Sequence, residues 1–190
     1  MRYLCFDSAL NEVYTLLLLQ KSLPNHICLF AGTKDETIWH VAPWLFQLTA
    51  ENIYTTWQQD PNCHLDRCLI IDSKTSLTEL KEHLQQFVYK NKNNQTFYNR
   101  FWDAAILPSL LEKMSVEAVT DFFETIDAIY INDDIGFWKL SLNHKCRLIK
   151  EPISIVQIFP SDADTANTIA PPSTNTATTS PNPRRRFFSE

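Results

Sequence analysis

The stretch DRCLIIDSKTSLTELKEHLQQFV, residues Asp66–Val88, carries a strand signal followed directly by a helix signal. Its first part, Asp66–Ser73, contains a continuous apolar run that is typical of a buried strand. Ser76 and Glu79 form the S-x-x-E pattern of a capping box, which predicts a helix beginning after Ser76. Apolar residues then recur at helical spacing, with polar residues on the other side. The stretch therefore predicts a buried strand and an amphipathic helix.

The chain before this stretch alternates between the same two signals. Arg2–Asp7 is predicted as a first strand, and Asn11–Gln20 as a helix whose apolar residues are dense enough to indicate burial on more than one side. The T-x-x-E pattern of Thr33 and Glu36 predicts a short helix through Trp39. HICLFAG and APWLFQLT are predicted as strands or extended segments, and ENIYTTWQQ as a short helix.

Aromatic residues alternate along TFYNRFW, Thr96–Trp102, which is predicted as a strand with Tyr98, Arg100 and Trp102 on one face. Asp103 follows it and is well suited to cap the next helix. Two roles for Arg100 stay open. It can brace the fold by pairing with an acid such as Asp103, or it can present its donors to a partner's carboxylate or carbonyl.

After Asp103, the position of Pro108 indicates either an irregular first turn or a regular helix that begins near the proline. Ser115 is predicted to cap a second helix over Val116–Thr125. DAIYIN and GFWKLSLN then predict a hairpin around Asp133–Gly136, and ISIVQIF a last strand.

These elements predict a mixed α/β fold, with a small mixed sheet flanked by helices. We expect a first domain over residues 1–125, a smaller β-rich lobe over residues 126–160 and a disordered tail over residues 161–190. The tail is rich in Thr, Asn, Pro, Ser and Ala, which bury too little surface to offset the entropy of ordering, although its end, RRRFFSE, could dock on an acidic apolar surface.

Composition argues against several classes of function. The net charge of −5 offers no broad positive field for nucleic acid. Two distant glycines cannot build a phosphate-binding loop, so no nucleotide cofactor is expected. The five cysteines lack CxxC spacing and are interpreted as reduced residues of a cytoplasmic protein. The longest apolar run is too short to cross a bilayer, and no secretory signal is apparent.

Catalytic and metal-binding motifs are weak. Cys63, His64 and Cys68 form C-H-x3-C, but no second ligand pair lies at a spacing suited to zinc, so no metal is expected. The histidines are scattered and none lies in a nucleophile motif. A small hydrolase with a His and carboxylate site assembled in space is kept as the alternative function.

The order of landmarks, however, resembles a known family. YLCFDSALNEVYTLL, LFAGTKDE, APWLFQL, the quoted stretch and FYNRFWDAAILPSLLEKMSVEAVTDFF follow one another over Tyr3–Phe123. This layout is similar to the bacterial type VI secretion effector chaperones, the domain of unknown function 4123 family. The hallmark R-F-aromatic-D stretch of that family is matched by residues 100–103, and its aspartate after the first strand by Asp7. Its L-F-x-G-T turn and P-W-L segment are matched by residues 29–33 and 43–45.

The resemblance implies a non-enzymatic cytoplasmic adaptor. Such a protein binds the N-terminal part of a cognate effector and helps to load it onto the spike protein of the secretion apparatus. Trp, Tyr and Arg are favoured anchors at protein interfaces. We therefore predict a groove that takes up an apolar cargo segment, while core burial of the same aromatic residues is the alternative. The predicted partner-binding residues are Trp44, Phe46, Tyr98, Arg100, Trp102 and Asp103.

Overall fold

The computed structural model describes residues 1–48, 60, 62–93, 95–133 and 135–159. The predicted helix ENIYTTWQQ and the predicted tail over residues 161–190 lie outside them. The strands are β1 (Arg2–Asp7), β2 (His26–Cys28), β3 (Pro43–Gln47), β4 (Leu69–Ser73), β5 (Tyr89–Lys92), β6 (Gln95–Tyr98), β7 (Ile126–Asn132), β8 (Phe137–Leu142) and β9 (Leu148–Ile153). The α-helices are α1 (Val13–Ser22), α2 (Leu77–Gln85), α3 (Leu107–Glu112), α4 (Val116–Phe122) and α5 (Ile155–Ile158), and a 3₁₀ helix spans Glu36–Val41. The predicted mixed α/β class is confirmed, but the main sheet is large and antiparallel where a small mixed sheet is predicted.

Seven strands form one sheet in the order β2-β3-β1-β4-β7-β8-β9, and each neighbouring pair is antiparallel. The strand β1 lies inside this sheet, with Leu4 opposite Phe46 on one side and opposite Ile70 on the other. Side chains of β1, β3 and β4 are largely buried, which explains their apolar sequences. The edges of the sheet are the short strand β2 and the strand β9.

The strands after residue 125 extend this same sheet. Within it β7 pairs with β4, so that Tyr130 lies opposite Ile70. The strands β8 and β9 continue outward as antiparallel neighbours, and Leu140 of β8 is fully buried. The predicted β-rich character of this region is thus observed, while the predicted domain boundary at residue 125 stays a prediction.

The capping box at the start of α2 is confirmed. The Ser76 Oγ accepts a hydrogen bond from the Glu79 amide (3.3 Å), and the Glu79 carboxylate accepts one from the Ser76 amide (2.8 Å). These bonds satisfy amides that have no partner within the helix. The Ser76 amide and hydroxyl both donate to the Glu79 carboxylate (2.8 Å each), and these bonds lower the pKa of Glu79 because they favour its ionised form.

Replacing Ser76 by alanine is expected to lower the free energy of unfolding by about 1 kcal/mol, because the helix loses its capping oxygen. Ser76→Asp keeps an acceptor at this position and should retain most of the stability. Thr78→Ala, in the exposed first turn of the same helix, is the control and should cost nothing. Urea denaturation measures all three, and equal stability of the two alanine variants would contradict the capping role.

Two predicted strands are wrong in part. The strand predicted over Thr96–Trp102 ends at Tyr98, where the chain turns and the Asp103 amide donates to the Arg100 carbonyl (3.2 Å). ISIVQIF forms the end of β9 and the helix α5, because Ser154 and Gln157 make a second capping box.

The signals for short helices had mixed outcomes. Thr33 does not cap a helix: its hydroxyl donates to the Phe30 carbonyl (2.8 Å), and the following helix is of the 3₁₀ type. Pro108 lies in the first turn of α3, which starts at Leu107, so the second alternative is the observed one. The Ser115 hydroxyl accepts from the Ala118 amide (3.2 Å), which confirms the predicted cap of α4.

Candidate protein-binding surface

Asp7 lies at the end of β1 with 1% of its surface exposed. Its Oδ2 accepts hydrogen bonds from Arg100 Nη2 (2.7 Å) and from Trp102 Nε1 (3.1 Å). Its Oδ1 accepts one from the Ala9 amide (3.0 Å). A buried carboxylate needs such donors because it has lost its water. Burial raises the pKa of Asp7, and the Ala9 amide and the Arg100 guanidinium oppose that effect.

A second buried carboxylate continues this network. Asp103 is also 1% exposed, and its Oδ1 lies 2.8 Å from Arg67 Nε. Its Oδ2 lies 3.7 Å from Arg100 Nη2, so Arg100 is closer to Asp7 than to Asp103. Asp103 also accepts from the Ala105 amide (3.0 Å), but α3 begins at Leu107 with Ile106 as its N-cap and no side-chain cap, so the predicted cap by Asp103 is wrong.

Two acids and two arginines thus join three segments that are distant in sequence. They connect the end of β1, the loop before β4 and the turn after β6, and the Ala104 amide adds a hydrogen bond to the Arg67 carbonyl (3.0 Å). The charges balance, which is the condition under which carboxylates can stay ionised inside a fold. We name these four residues, Asp7, Arg67, Arg100 and Asp103, the charge brace.

The two aromatic residues between Arg100 and Asp103 also point into the fold. Phe101 is fully buried against Phe122 and Trp102, with ring centroids 5.6 and 5.2 Å away. Trp102 presents its edge to Phe30 (6.1 Å) while its ring nitrogen donates to Asp7. The whole R-F-W-D stretch therefore makes structural contacts, and the bracing role predicted as one alternative for Arg100 is observed.

The structure divides the predicted partner-binding residues between two aromatic clusters. Tyr98 and Trp102 lie together (6.4 Å) beside Phe30, whereas Trp44 and Phe46 stack on each other (6.3 Å) in β3. Phe46, Trp102, Trp44 and Asp103 are buried, and only Tyr98 and Arg100 are partly exposed. Their role in partner binding stays a prediction, which Tyr98 and Arg100 could serve from the surface.

Tyr98 is held firmly at this surface. Its ring stacks on Phe30 with centroids 5.5 Å apart, and Tyr89 lies opposite it across the β5–β6 hairpin. The Tyr89 hydroxyl donates to the Asp35 carboxylate (2.7 Å). Burial and a hydrogen bond to Asp35 raise the pKa of Tyr98 to about 12, so its phenol stays protonated at neutral pH.

The helix α1 exposes a stripe of apolar side chains. Leu10, in the turn before the helix, and Val13, Tyr14 and Leu17 are each between 38% and 55% exposed. Within α1 the helical spacing of Val13, Tyr14 and Leu17 places these three side chains on one side. Thr15, Leu16 and Leu19 are fully buried on the opposite side. The predicted burial of this helix on more than one side is therefore wrong, because the α1 stripe is exposed and no described residue covers it.

Sequence reasoning missed three contributors to these sites. Arg67 adopts a left-handed backbone conformation (φ 59°) in a loop, and no local pattern indicates its partner. Asn11 is buried and uses its side-chain amide to bond the Asp7 and Asp66 carbonyls. The sequence shows that apolar residues are dense throughout α1, but composition alone does not show which side of this helix lacks a neighbouring element.

The histidines form no catalytic pair in the described residues. His83 is buried and its Nε2 lies 2.9 Å from the Phe122 carbonyl oxygen, while His26 Nδ1 lies 2.7 Å from the Leu23 carbonyl oxygen. Across the described ranges no histidine lies within ion-pair distance of a carboxylate, and no three potential ligands converge as a metal site. The hydrolase alternative stays a hypothesis without a geometric observation in its favour.

A family model described as "Domain of unknown function (DUF4123)" matches residues 2–121, which include the charge brace, the α1 stripe and the β5–β6 hairpin. No curated protein and no solved structure matches the chain. In the described residues no helix has the length and apolar character needed to cross a bilayer.

Proposed function

The chain belongs to the DUF4123 family, and from this premise we propose that it is a bacterial cytoplasmic adaptor for a type VI secretion effector. It binds the N-terminal part of its cognate effector and helps to load that effector onto the spike protein. It makes and breaks no covalent bond. The proposal draws on the similarity of the landmarks along residues 3–123 to the effector chaperones, and on one feature of the molecule.

That feature is the α1 stripe. Apolar surface normally faces the core, so a helix that is apolar on both sides usually has neighbours on both. Four side chains that are roughly half exposed offer on the order of 400 Å² of apolar surface, the size of the largest apolar patch on a typical monomer, and such patches are often functional. An amphipathic segment of the effector would cover this stripe by the helix-in-groove mode, with its apolar residues at matching spacing. The buried charge brace holds the start of α1 in place through Asp7 and Asn11.

Coexpression with a candidate toxin taken from the genes adjacent to this one tests the proposal. The N-terminal region of that toxin should elute with the adaptor as one complex in size-exclusion chromatography, and the spike protein should join it. Separate elution of adaptor and toxin would contradict the proposal. Hydrolytic turnover by the purified chain, lost when His83 or another histidine is replaced, would support the hydrolase alternative instead.

Replacing Leu17 by glutamate is expected to weaken cargo binding by about tenfold or more, because the charge must lose water against an apolar partner. Leu17 is 54% exposed, so the free energy of unfolding should change by less than about 0.5 kcal/mol. Val156→Glu, at a similarly exposed position in α5, is the matched control and should bind cargo as the wild type does. Fluorescence anisotropy with the labelled toxin segment compares the affinities, and equal binding by both variants would remove α1 from the interface.

A further inference from the structure

An open apolar groove lies between the helices α3 and α4 and the hairpin of β8 and β9. Its volume is about 300 Å³. One wall is formed by Leu111, Met114 and Val119, and the other by Cys146 and Leu148. A groove of this size lies at the small end of ligand sites, so it suits one or two apolar side chains rather than a large cofactor.

The hairpin wall of this groove is fixed before any ligand binds. The Asn143 side chain accepts hydrogen bonds from the amides of Lys145 (2.9 Å) and Arg147 (3.0 Å), and the Asn143 amide donates to the Arg147 carbonyl (3.0 Å). Cys146 adopts a left-handed conformation (φ 55°) within this loop. A wall that is already ordered loses little conformational entropy on binding.

The rim of the groove carries a positively charged side chain, that of Arg147, which can pair with an acidic ligand. In the described parts of the chain no carboxylate lies within ion-pair distance of Arg147. Lys150 also lines the groove, but its Nζ is 3.7 Å from Asp133 and 4.4 Å from the centre of the Trp138 ring. Glu112 is the acid on the opposite wall. Arg147 is therefore the charge best placed to pair with a ligand.

Only one of the two walls of the groove lies within the residues that the family model matches. The family model ends at residue 121, so it covers α3 and nearly all of α4, whereas the hairpin wall lies beyond it. A binding site formed half by the family domain and half by a segment outside it is suited to distinguish one partner from another. Differences in the hairpin would alter specificity and leave the shared domain unchanged.

We propose that this groove selects the cargo by binding an apolar side chain flanked by acidic residues, with Arg147 pairing with one of those acids. This inference rests on the proposed adaptor function and adds the chemistry of the segment that is recognised. A guanidinium beside an apolar groove recognises both features of the segment at once. The guanidinium binds an acidic residue of the segment, while the groove accepts the neighbouring apolar side chain.

Other occupants fit the groove less well. A second copy of the chain would need about 800 Å² per partner for a stable interface, which exceeds what so small a groove offers. The end of this chain, RRRFFSE, places three arginines beside its phenylalanines, and these would repel Arg147. An acidic apolar segment of a partner is the occupant that both charge and size favour.

Cys146 provides a direct readout of this groove. The structure describes all five cysteines, and among them Cys146 alone is exposed. Its alkylation by a maleimide should slow at least about fivefold when the toxin segment is bound. As a control, Lys74→Cys in a Cys146→Ser background places the thiol in the exposed bend after β4, away from the groove lining, and its alkylation rate should not change.

Arg147→Glu tests the charge directly. Short fluorescein-labelled peptides with a central Leu-Phe pair flanked by Asp and Glu should bind the wild type at least about tenfold more tightly than peptides flanked by Lys and Arg. Arg147→Glu should remove this preference, by the equivalent of about 1.4 kcal/mol. Lys145→Glu makes the same charge change in the same loop outside the groove lining and should retain the preference.

These outcomes separate the inference from the proposed function. If the toxin elutes with the adaptor but leaves the alkylation rate of Cys146 unchanged, the groove proposal fails and the adaptor function stands. If the toxin does not bind at all, the adaptor function fails, and the peptide series alone decides about the groove. Equal binding of acidic and basic peptides by the wild type would overturn the groove proposal in either case.

Discussion

Replacing Asp7 by alanine is expected to lower the free energy of unfolding by about 3 kcal/mol. Removing one member of a buried ion pair leaves the other without compensation, which costs about 3–5 kcal/mol. We expect the lower end of this range because the Arg100 side chain is 37% exposed and can regain water. The Trp102 ring nitrogen and the Ala9 amide lose their acceptor in the same step.

Urea denaturation of Asp7→Ala and Arg100→Ala measures this effect, and the double variant closes a mutant cycle. The two changes should not add, because each removes the same contact. Asp127→Ala is the control, since its ion pair with Lys74 is largely exposed and should contribute less than about 1 kcal/mol. A loss below about 1 kcal/mol for Asp7→Ala would show that the charge brace does not stabilise the fold, and additive losses in the cycle would show that the contact between Asp7 and Arg100 contributes nothing.

Replacing Phe101 by alanine should have the largest effect on stability, a loss of about 3–5 kcal/mol. The ring is fully buried, and it contacts Phe122 of α4 and Trp102 edge to face. Phe122 in turn contacts Phe87 and Phe123. Loss of the Phe101 ring therefore leaves a cavity at the point where the turn after β6 meets α4.

Phe97→Ala is the matched control for this prediction. Phe97 lies four positions earlier and is 49% exposed, so its loss should cost less than about 1 kcal/mol. Thermal unfolding followed by circular dichroism compares the two variants under the same conditions. If the losses are equal, the motif phenylalanine contributes by surface contacts and our account of this turn is wrong.

The elements that could be predicted from sequence are those with local causes. The capping box of Ser76 and Glu79 and the cap of Ser115 act within one helical turn, so their residues alone indicate where α2 and α4 begin. The continuous apolar run of β4 likewise indicates a buried strand. Ser154 and Gln157 form the same kind of capping box before α5, but the apolar run ISIVQIF that contains them predicts a strand instead of a helix.

The candidate sites could be predicted only in part because the residues that form each site lie far apart in sequence. Arg100 is 93 residues from Asp7, its closest acid, whereas the sequence suggests a neighbouring acid such as Asp103 as its partner. The predicted surface residues Phe46 and Trp102 are buried, since aromatic residues suit a core as well as an interface. Similarly, the groove joins α3 and α4 to a hairpin loop at Cys146, and no spacing along the chain connects them.

The two edges of the large sheet determine how readily further strands can add to it. One margin is the three-residue strand β2, and the other, β9, carries Lys150, Glu151 and Pro152 in succession. Short or charged borders and a proline, which has no amide hydrogen to share, discourage strand-by-strand growth. Growth of the seven-stranded sheet by addition of further strands is therefore disfavoured at both of its edges.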